Sequence, residues 1–235
     1  MNAEDIKDVI NDFLEEDLVQ RGNVETVVLS GSFATGKATK HSDIDLCCIG
    51  QFSGFQRESI NFQGHEFQLM IGPWSWYEHV VSEFESNGNN IGTITVMLAT
   101  GVCLIGDTEK WRSLNSLAIS HYNRGPKKAS IDEIRKIRVR ITDLWEDFCD
   151  AEKEQVRLWL ALDILQKCVE AHFIFQNRWA VKTKYQIEEI KAHDPIMASH
   201  LSKCISSLGS TEELQTICSY VLEPVGGWMK ESWKS

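Results

Sequence analysis

Gly31, Ser32, Asp43 and Asp45 are the residues of this sequence whose types and spacing can do chemistry together. They lie in one stretch, GSFATGKATKHSDID, residues 31–45. A Gly-Ser turn presents backbone N–H groups that can cradle phosphate oxygens: glycine permits close approach, and the hydroxyl adds a donor. Two carboxylates one residue apart on a strand share a face, because side chains alternate. Acids held that close repel each other unless a cation lies between them. Mg²⁺ takes oxygen ligands, commonly one or two carboxylates plus substrate phosphates. Two such ions can activate an attacking hydroxyl and neutralise a leaving pyrophosphate. The plainer reading is a surface turn followed by a solvated strand end. Against it, residues 43–49, DIDLCCI, are otherwise apolar, and uncompensated acids in a buried strand are costly.

A third acid on an adjacent strand would complete a metal cage. Glu66 in HEFQLMI, residues 65–71, is the candidate. It shares a strand face with Gln68 and Met70, and Gln68 is the one better flanked by apolar neighbours. Either of the two can face the aspartates. Lys37 and Lys40 are the nearest cations, and Ser42 orders the loop, caps Asp43 or is a plain turn serine. His41, His65 and His79 lack the spacing of a zinc site.

These residues need elements to position them. Residues 5–18 carry apolar side chains at helical spacing, and residues 24–30, VETVVLS, read as a buried strand. Residues 33–37 suit a short helical turn, and residues 43–49 and 65–71 two more strands, with a turn-rich segment at 50–64 between them. Helical character follows at 74–85, a turn at 87–90, a segment at 91–100 that suits helix or strand with helix favoured, a short strand at 102–105 and a helix at 108–118. After Gly125-Pro126 strand signals stop. Ser130 and Glu133 form a capping-box pattern ahead of a long amphipathic helix. Further helices are expected at 154–177, 184–192, 195–208 and 211–222.

Composition limits the function classes. The net charge is −10, which disfavours a broad nucleic-acid surface. Residues 1–125 hold 8 basic and 17 acidic side chains, residues 126–235 hold 16 and 17, so the excess sits in the first half. That suits metal ions or a cationic substrate, and equally serves solubility. Seven cysteines without a C-x-x-C pair read as reduced, buried thiols of a cytoplasmic protein. No apolar run approaches the ~20 residues of a membrane span.

The strand, Gly31-Ser32, a ten-residue spacer and Ser42-Asp43-Ile44-Asp45-Leu46 resemble the signature of the DNA polymerase beta-like nucleotidyltransferase superfamily. A compact catalytic domain ahead of a helical bundle is most similar to the antibiotic nucleotidyltransferases, which adenylylate aminoglycosides or lincosamides. ATGVCLIGD, residues 99–107, is similar to an apolar segment ending in Gly-Asp in that family, and NRWAVKTK, residues 177–184, more weakly so. The resemblance implies an α+β fold: a mixed sheet with flanking helices over residues 1–125, the catalytic domain, then an all-helical bundle over 126–235. It implies transfer of a nucleoside monophosphate from a nucleoside triphosphate, ATP being the expected donor, to a hydroxyl of a small acceptor. Two Mg²⁺ ions would serve as cofactors. Asp43, Asp45 and Glu66 would be catalytic and bind the metal. Gly31, Ser32, Lys37 and Ser42 would hold the nucleotide. An aminoglycoside-like, cationic antibiotic is one candidate acceptor, no membrane or nucleic-acid partner is expected, and the chain would act as a monomer or homodimer.

The chain also departs from the family. Members often carry a cation before the second glycine, where this sequence has Thr35 before Gly36; Lys37 or Lys40 would supply the charge instead. Gln68 in the third-acid position would leave a slow or inactive enzyme. Two other readings therefore stand beside small-acceptor transfer: modification of a protein or RNA, and a non-catalytic nucleotide-binding protein on the same fold. Three other groups have plainer readings. Lys127, Lys128, Arg135, Lys136, Arg138 and Arg140 read as a solvated helix face rather than a phosphate site. Asp163, Gln166, Lys167 and Glu170 form a helical stripe that either faces water, the preferred reading, or offers a general base. The eight tryptophans read mostly as core, although Trp74 and Trp76 flank the third strand and could stack a base or a sugar ring.

Overall fold

The computed structural model describes residues 3–18, 20, 22–85 and 93–232. The chain forms two compact units, Met1–Pro126 and Lys127–Ser235. The first is built on a mixed five-stranded sheet and the second is helical, so the fold class is α+β.

In the first unit α1 (Ala3–Phe13) continues as a wide π-type turn (Leu14–Leu18). The strands are β1 (Val24–Ser30), β2 (Ile44–Gly50), β3 (Gln56–Phe62), β4 (His65–Pro73) and β5 (Val102–Ile105). Their order across the sheet is β3-β4-β2-β1-β5. The β2/β4 pair is parallel, and the β1/β2, β1/β5 and β3/β4 pairs are antiparallel. A short helical turn α2 (Gly31–Ala34) follows β1 directly. Helix α3 (Trp74–His79), extended by a π-type turn (Val80–Phe84), and helices α4 (Thr93–Thr100) and α5 (Glu109–Arg124) complete the unit.

Alternation along the strands gives the sheet two apolar faces. One buries Val27, Ile44, Leu46, Cys48, Phe67, Leu69 and Ile71 against Ile6, Ile10 and Phe13 of α1, with Phe13 stacked on Phe67 at 4.0 Å between ring centres. The other buries Val28, Cys47, Ile49 and Met70 against α3, α4 and α5. Asp45 and Gln68 belong to this second face, one alternation step from Cys47 and Met70. A carboxylate caps α4: buried Glu85 accepts from the N–H groups of Ile94 at 2.8 Å and Thr95 at 2.6 Å.

Several sequence expectations shift. The segment expected to be turn-rich contains β3, an edge strand whose outer positions Gln56, Arg57, Ser59 and Asn61 are exposed. Its apolar residues, Ile60 and Phe62, come only at its end, so it lacks the alternation that marks a half-buried strand. The helical turn begins at Gly31 rather than at 33, and β2 begins at Ile44, leaving Asp43 just ahead of the strand. The expected turn at 87–90 and the start of the helix at 91 lie outside the described residues.

The second unit holds α6 (Ile131–Asp150), α7 (Glu154–Phe175), α8 (Thr183–His193), α9 (Pro195–Ser206) and α10 (Thr211–Leu222). The Ser130/Glu133 capping box forms in full. Its core gathers Ile141, Leu144, Phe148, Ile164, Leu165, Phe173, Leu201, Ile217 and Leu222 from these helices.

Candidate active site

The site starts where β1 ends. Ser30 pairs with Asp45 across the β1/β2 ladder, and its hydroxyl donates to the Asp45 carbonyl at 3.2 Å. The chain then turns at Gly31, φ +66°, a conformation glycine adopts without cost. A β-carbon at Gly31 would lie 2.1 Å from Oδ2 of Asp45. The two ends of the GSFATGKATKHSDID stretch are thus packed on each other, glycine backbone against carboxylate.

The turn is closed on its far side. Thr35 donates from its backbone N–H at 3.3 Å and from its hydroxyl at 3.0 Å to the Gly31 carbonyl, and the Lys37 N–H donates to the Ser32 carbonyl at 2.8 Å. Thr35, where a family cation was expected, therefore tightens the turn. At its open end the N-cap residue Ser30 makes no side-chain bond to the first N–H groups of the turn, since its hydroxyl is engaged with Asp45. N–H groups of that kind suit an anion. Lys37 and Lys40 are exposed in the loop beyond. Ser42 accepts from the Thr39 N–H at 2.8 Å and donates its own N–H to the Thr39 carbonyl at 3.0 Å, bonds that order the loop.

The β2/β4 register decides what stands beside the aspartates. Asp45 is paired with Gln68. Continuing by one residue beyond the Ile44–Phe67 pair sets Asp43 alongside Glu66. Gln68 is buried and Glu66 exposed. Glu66 is drawn towards β3: its Oε1 accepts from the Ser59 hydroxyl at 2.8 Å and from Gln68 Nε2 at 2.5 Å. Among the described residues, no three His, Cys, Asp or Glu side chains converge as a metal-ligand set. What the structure brings together is the Asp43–Asp45 pair, the Gly31-Ser32 turn and the Glu66–Gln68 pair on the next strand. Behind them Cys47 is fully buried, and burial pushes its thiol up to about 12, which makes it a neutral core group rather than a thiolate nucleophile.

Other sequence candidates fall away from chemistry. Trp74 is buried in the core and donates its indole N–H to Glu25 at 2.7 Å, a bond that holds the Glu25 carboxyl below the usual range. Trp76 is stacked on Phe55 at 3.8 Å. In the second unit Asp163 pairs with Arg140 at 3.2 Å and Lys167 with Glu170 at 2.7 Å, which makes the polar stripe a set of surface ion pairs. Arg138 is not on a solvated face: it is buried, held by the carbonyls of Gly226 and Gly227 at 2.8 Å each and by Glu231 at 3.1 Å. Arg57, hydrogen-bonded to Gln68, is a neighbour of these residues that the sequence reading did not single out. The signal was a charged residue at the second position of a strand too polar to be recognised as one.

Residues 12–71 match the family model of the nucleotidyltransferase domain, a span that takes in the Gly31-Ser32 turn, both aspartates, Glu66 and Gln68. No curated protein matches the chain at a significant level. Among solved structures it is similar to the nucleotidyltransferase-like protein from Exiguobacterium sibiricum 255-15, at 10% sequence identity and a TM-score of 0.43, covering 94% of this chain and 74% of that one. None of the described helices is long and apolar enough to cross a membrane.

Proposed function

We propose that the chain is a Mg²⁺-dependent nucleotidyltransferase that moves AMP from ATP to a hydroxyl of a small acceptor and releases pyrophosphate. The observation that carries this reading is the contact of the Gly31 backbone with the Asp45 carboxylate, which joins a phosphate-suited turn to an acid pair inside the matched nucleotidyltransferase domain.

The donor set fits the metal: two carboxylates on one face, with substrate phosphates to supply the remaining oxygens, is the environment Mg²⁺ prefers. Asp43 and Asp45 would hold it, and when bound it supplies charge neutralisation at the phosphates and acidifies the acceptor hydroxyl. The Gly31 and Ser32 backbone N–H groups and the Ser32 hydroxyl orient the β- and γ-phosphates, and Lys37 adds a cation from the loop. Glu66 polarises the acceptor hydroxyl, whose proton passes to solvent. The acceptor oxygen bonds to the α-phosphorus, the bond from that phosphorus to the bridging oxygen breaks, and pyrophosphate leaves with the electron pair. An aminoglycoside-like antibiotic is the acceptor that the family resemblance suggests.

The test is pyrophosphate release from ATP and Mg²⁺ over a panel of hydroxylated acceptors, together with calorimetric binding of Mg·ATP. Asp43→Asn should abolish release and weaken Mg-dependent nucleotide binding at least tenfold. Unchanged binding in that variant would show that these acids hold no metal. A second reading, nucleotide binding without transfer, is favoured by the neutral Gln68 beside Asp45. It predicts Mg·ATP binding with no release on any acceptor.

A further inference from the structure

The edge strand β3 brings one more charged residue to the site. Arg57 donates from Nε and Nη2 to Oε1 of Gln68, at 3.2 and 3.1 Å. Gln68 passes the connection on, its Nε2 donating to Glu66 at 2.5 Å. Since Gln68 is also the partner of Asp45 in the ladder, Arg57 shares their face of the sheet.

The seat of this guanidinium matters. It rests on a neutral amide oxygen, which fixes its orientation without cancelling its charge; a carboxylate at position 68 would have done both. The two bonds use the Nε–Nη2 side of the fork. The Nη1–Nη2 end is left, and it too can take a carboxylate or phosphate bidentately. Arg57 is exposed, so that end is within reach of a ligand.

Position assigns the ligand. Across the sheet the order on this face is the Gly31-Ser32 turn after β1, the aspartates at β2, Gln68 and Glu66 on β4, then Arg57 and Ser59 on β3. At ~4.8 Å per strand, β3 lies two steps beyond the acid pair, on the side away from the phosphate turn. Phosphoryl transfer runs in line: pyrophosphate departs on one side of the α-phosphorus and the attacking oxygen arrives on the other. With the phosphates over β1, the acceptor lies over β4 and β3.

We propose that Arg57 is the acceptor-binding cation of this site and that the acceptor is a hydroxylated small molecule carrying a carboxylate or a phosphate. This rests on the nucleotidyl-transfer reading above and replaces its cationic, aminoglycoside-like acceptor with an anionic one. Such an acceptor forms a charge-assisted bidentate pair with Arg57 and sets its hydroxyl over Glu66. A polycationic acceptor meets a fixed guanidinium instead.

The experiment uses the whole chain saturated with Mg²⁺ and the non-reacting analogue α,β-methylene-ATP, titrated separately with inorganic phosphate and with acetate. Calorimetry or ³¹P and ¹³C line broadening follows binding. At least one anion should bind, phosphate for a phosphorylated acceptor and acetate for a carboxylated one. Arg57→Gln should weaken that binding ten- to a hundredfold, as expected for a lost charged hydrogen-bond pair, and leave analogue affinity within twofold. Arg57→Lys should recover part of it. If neither anion binds the loaded protein, if Arg57→Gln leaves anion affinity unchanged, or if it weakens the analogue instead, Arg57 is not the acceptor's cation. If the analogue itself fails to bind in Mg²⁺, or binds equally well to Asp43→Asn, the underlying transfer reading fails instead.

Discussion

The α-carbon of Gly31 lies against the carboxylate of Asp45, so closely that a β-carbon there would stand 2.1 Å from Oδ2. Two residues fourteen positions apart in the chain are one structural unit. The hairpin ladder, in which Ser30 pairs with Asp45, brings them together, and the positive φ of Gly31 turns the chain over the acid.

That contact separates two glycines of the same loop. Gly36 has a similar φ of +70° but nothing within 4 Å of its would-be β-carbon. Gly36→Ala should therefore carry only the backbone cost of a left-handed alanine, about 1–2 kcal/mol. Gly31→Ala carries that cost and also displaces the Asp45 carboxylate. We expect it to lower the urea midpoint further than Gly36→Ala and to remove Mg-dependent nucleotide binding, which Gly36→Ala should retain. Equal behaviour of the two variants would mean that the Gly31–Asp45 contact does not organise the site.

Glu66 and Gln68 give a second test. The register pairs Gln68 with Asp45 and sets Glu66 alongside Asp43, with Glu66 engaged by Ser59 and Gln68. If Glu66 polarises the acceptor hydroxyl, Glu66→Gln should reduce kcat by about 10²-fold, the scale of a lost general acid–base group. KM for ATP should stay unchanged, because the phosphates are held across the sheet at Gly31-Ser32. Steady-state kinetics with varied ATP decides it, and a raised KM with normal kcat would reassign Glu66 to nucleotide binding.

The legible parts of this molecule were those written in local chemistry. VETVVLS and VCLI form strands at the expected limits because β-branched apolar runs between turn residues have few other options. Ser130 and Glu133 marked a helix start because a capping box is a contact over three residues. What stayed illegible depends on partners far along the chain. Gln68 and Glu66 lie on one face by periodicity, but only the parallel register with β2 says which aspartate each meets. Arg57 was hidden because an edge strand with a solvated face needs no apolar alternation. Arg138 read as one of six basic residues on a wet helix, and is buried by carbonyls 88 and 89 residues later.

The second unit carries a pH dependence of its own. His172 on α7 is buried, with Nε2 3.9 Å from Asp194, and Asp194 also accepts from the Tyr220 hydroxyl at 2.9 Å. Burial holds the imidazole below its ordinary value of 6.5; Asp194 opposes that shift and the Arg178 charge adds to it. Folded His172 thus stays neutral where an unfolded histidine already binds a proton. The stabilisation from neutral His172 is present in full above the ordinary value and is lost as pH falls below it. Urea midpoints at pH 7.5 and 5.5 should therefore differ more in the wild type than in His172→Gln. An equal drop in both would place the pH dependence elsewhere.

Arg138 ties the C-terminal segment to α6. Its guanidinium donates from Nε to the Gly227 carbonyl and from Nη2 to the Gly226 carbonyl, each at 2.8 Å, and meets Glu231 at 3.1 Å. Arg138→Met keeps the apolar stem but leaves those carbonyls without a charged donor, at a cost of about 2–3 kcal/mol. Arg138→Lys should recover little, since a single ammonium cannot reproduce the planar fork that reaches both carbonyls and the carboxylate. The effect should be local before it is global: amide hydrogen exchange over residues 226–231 should speed up in Arg138→Met while the β1 and β2 amides keep their protection. Unchanged exchange in the segment, with stability within about 0.5 kcal/mol of wild type, the range of an ordinary surface substitution, would show that the latch is not what holds it.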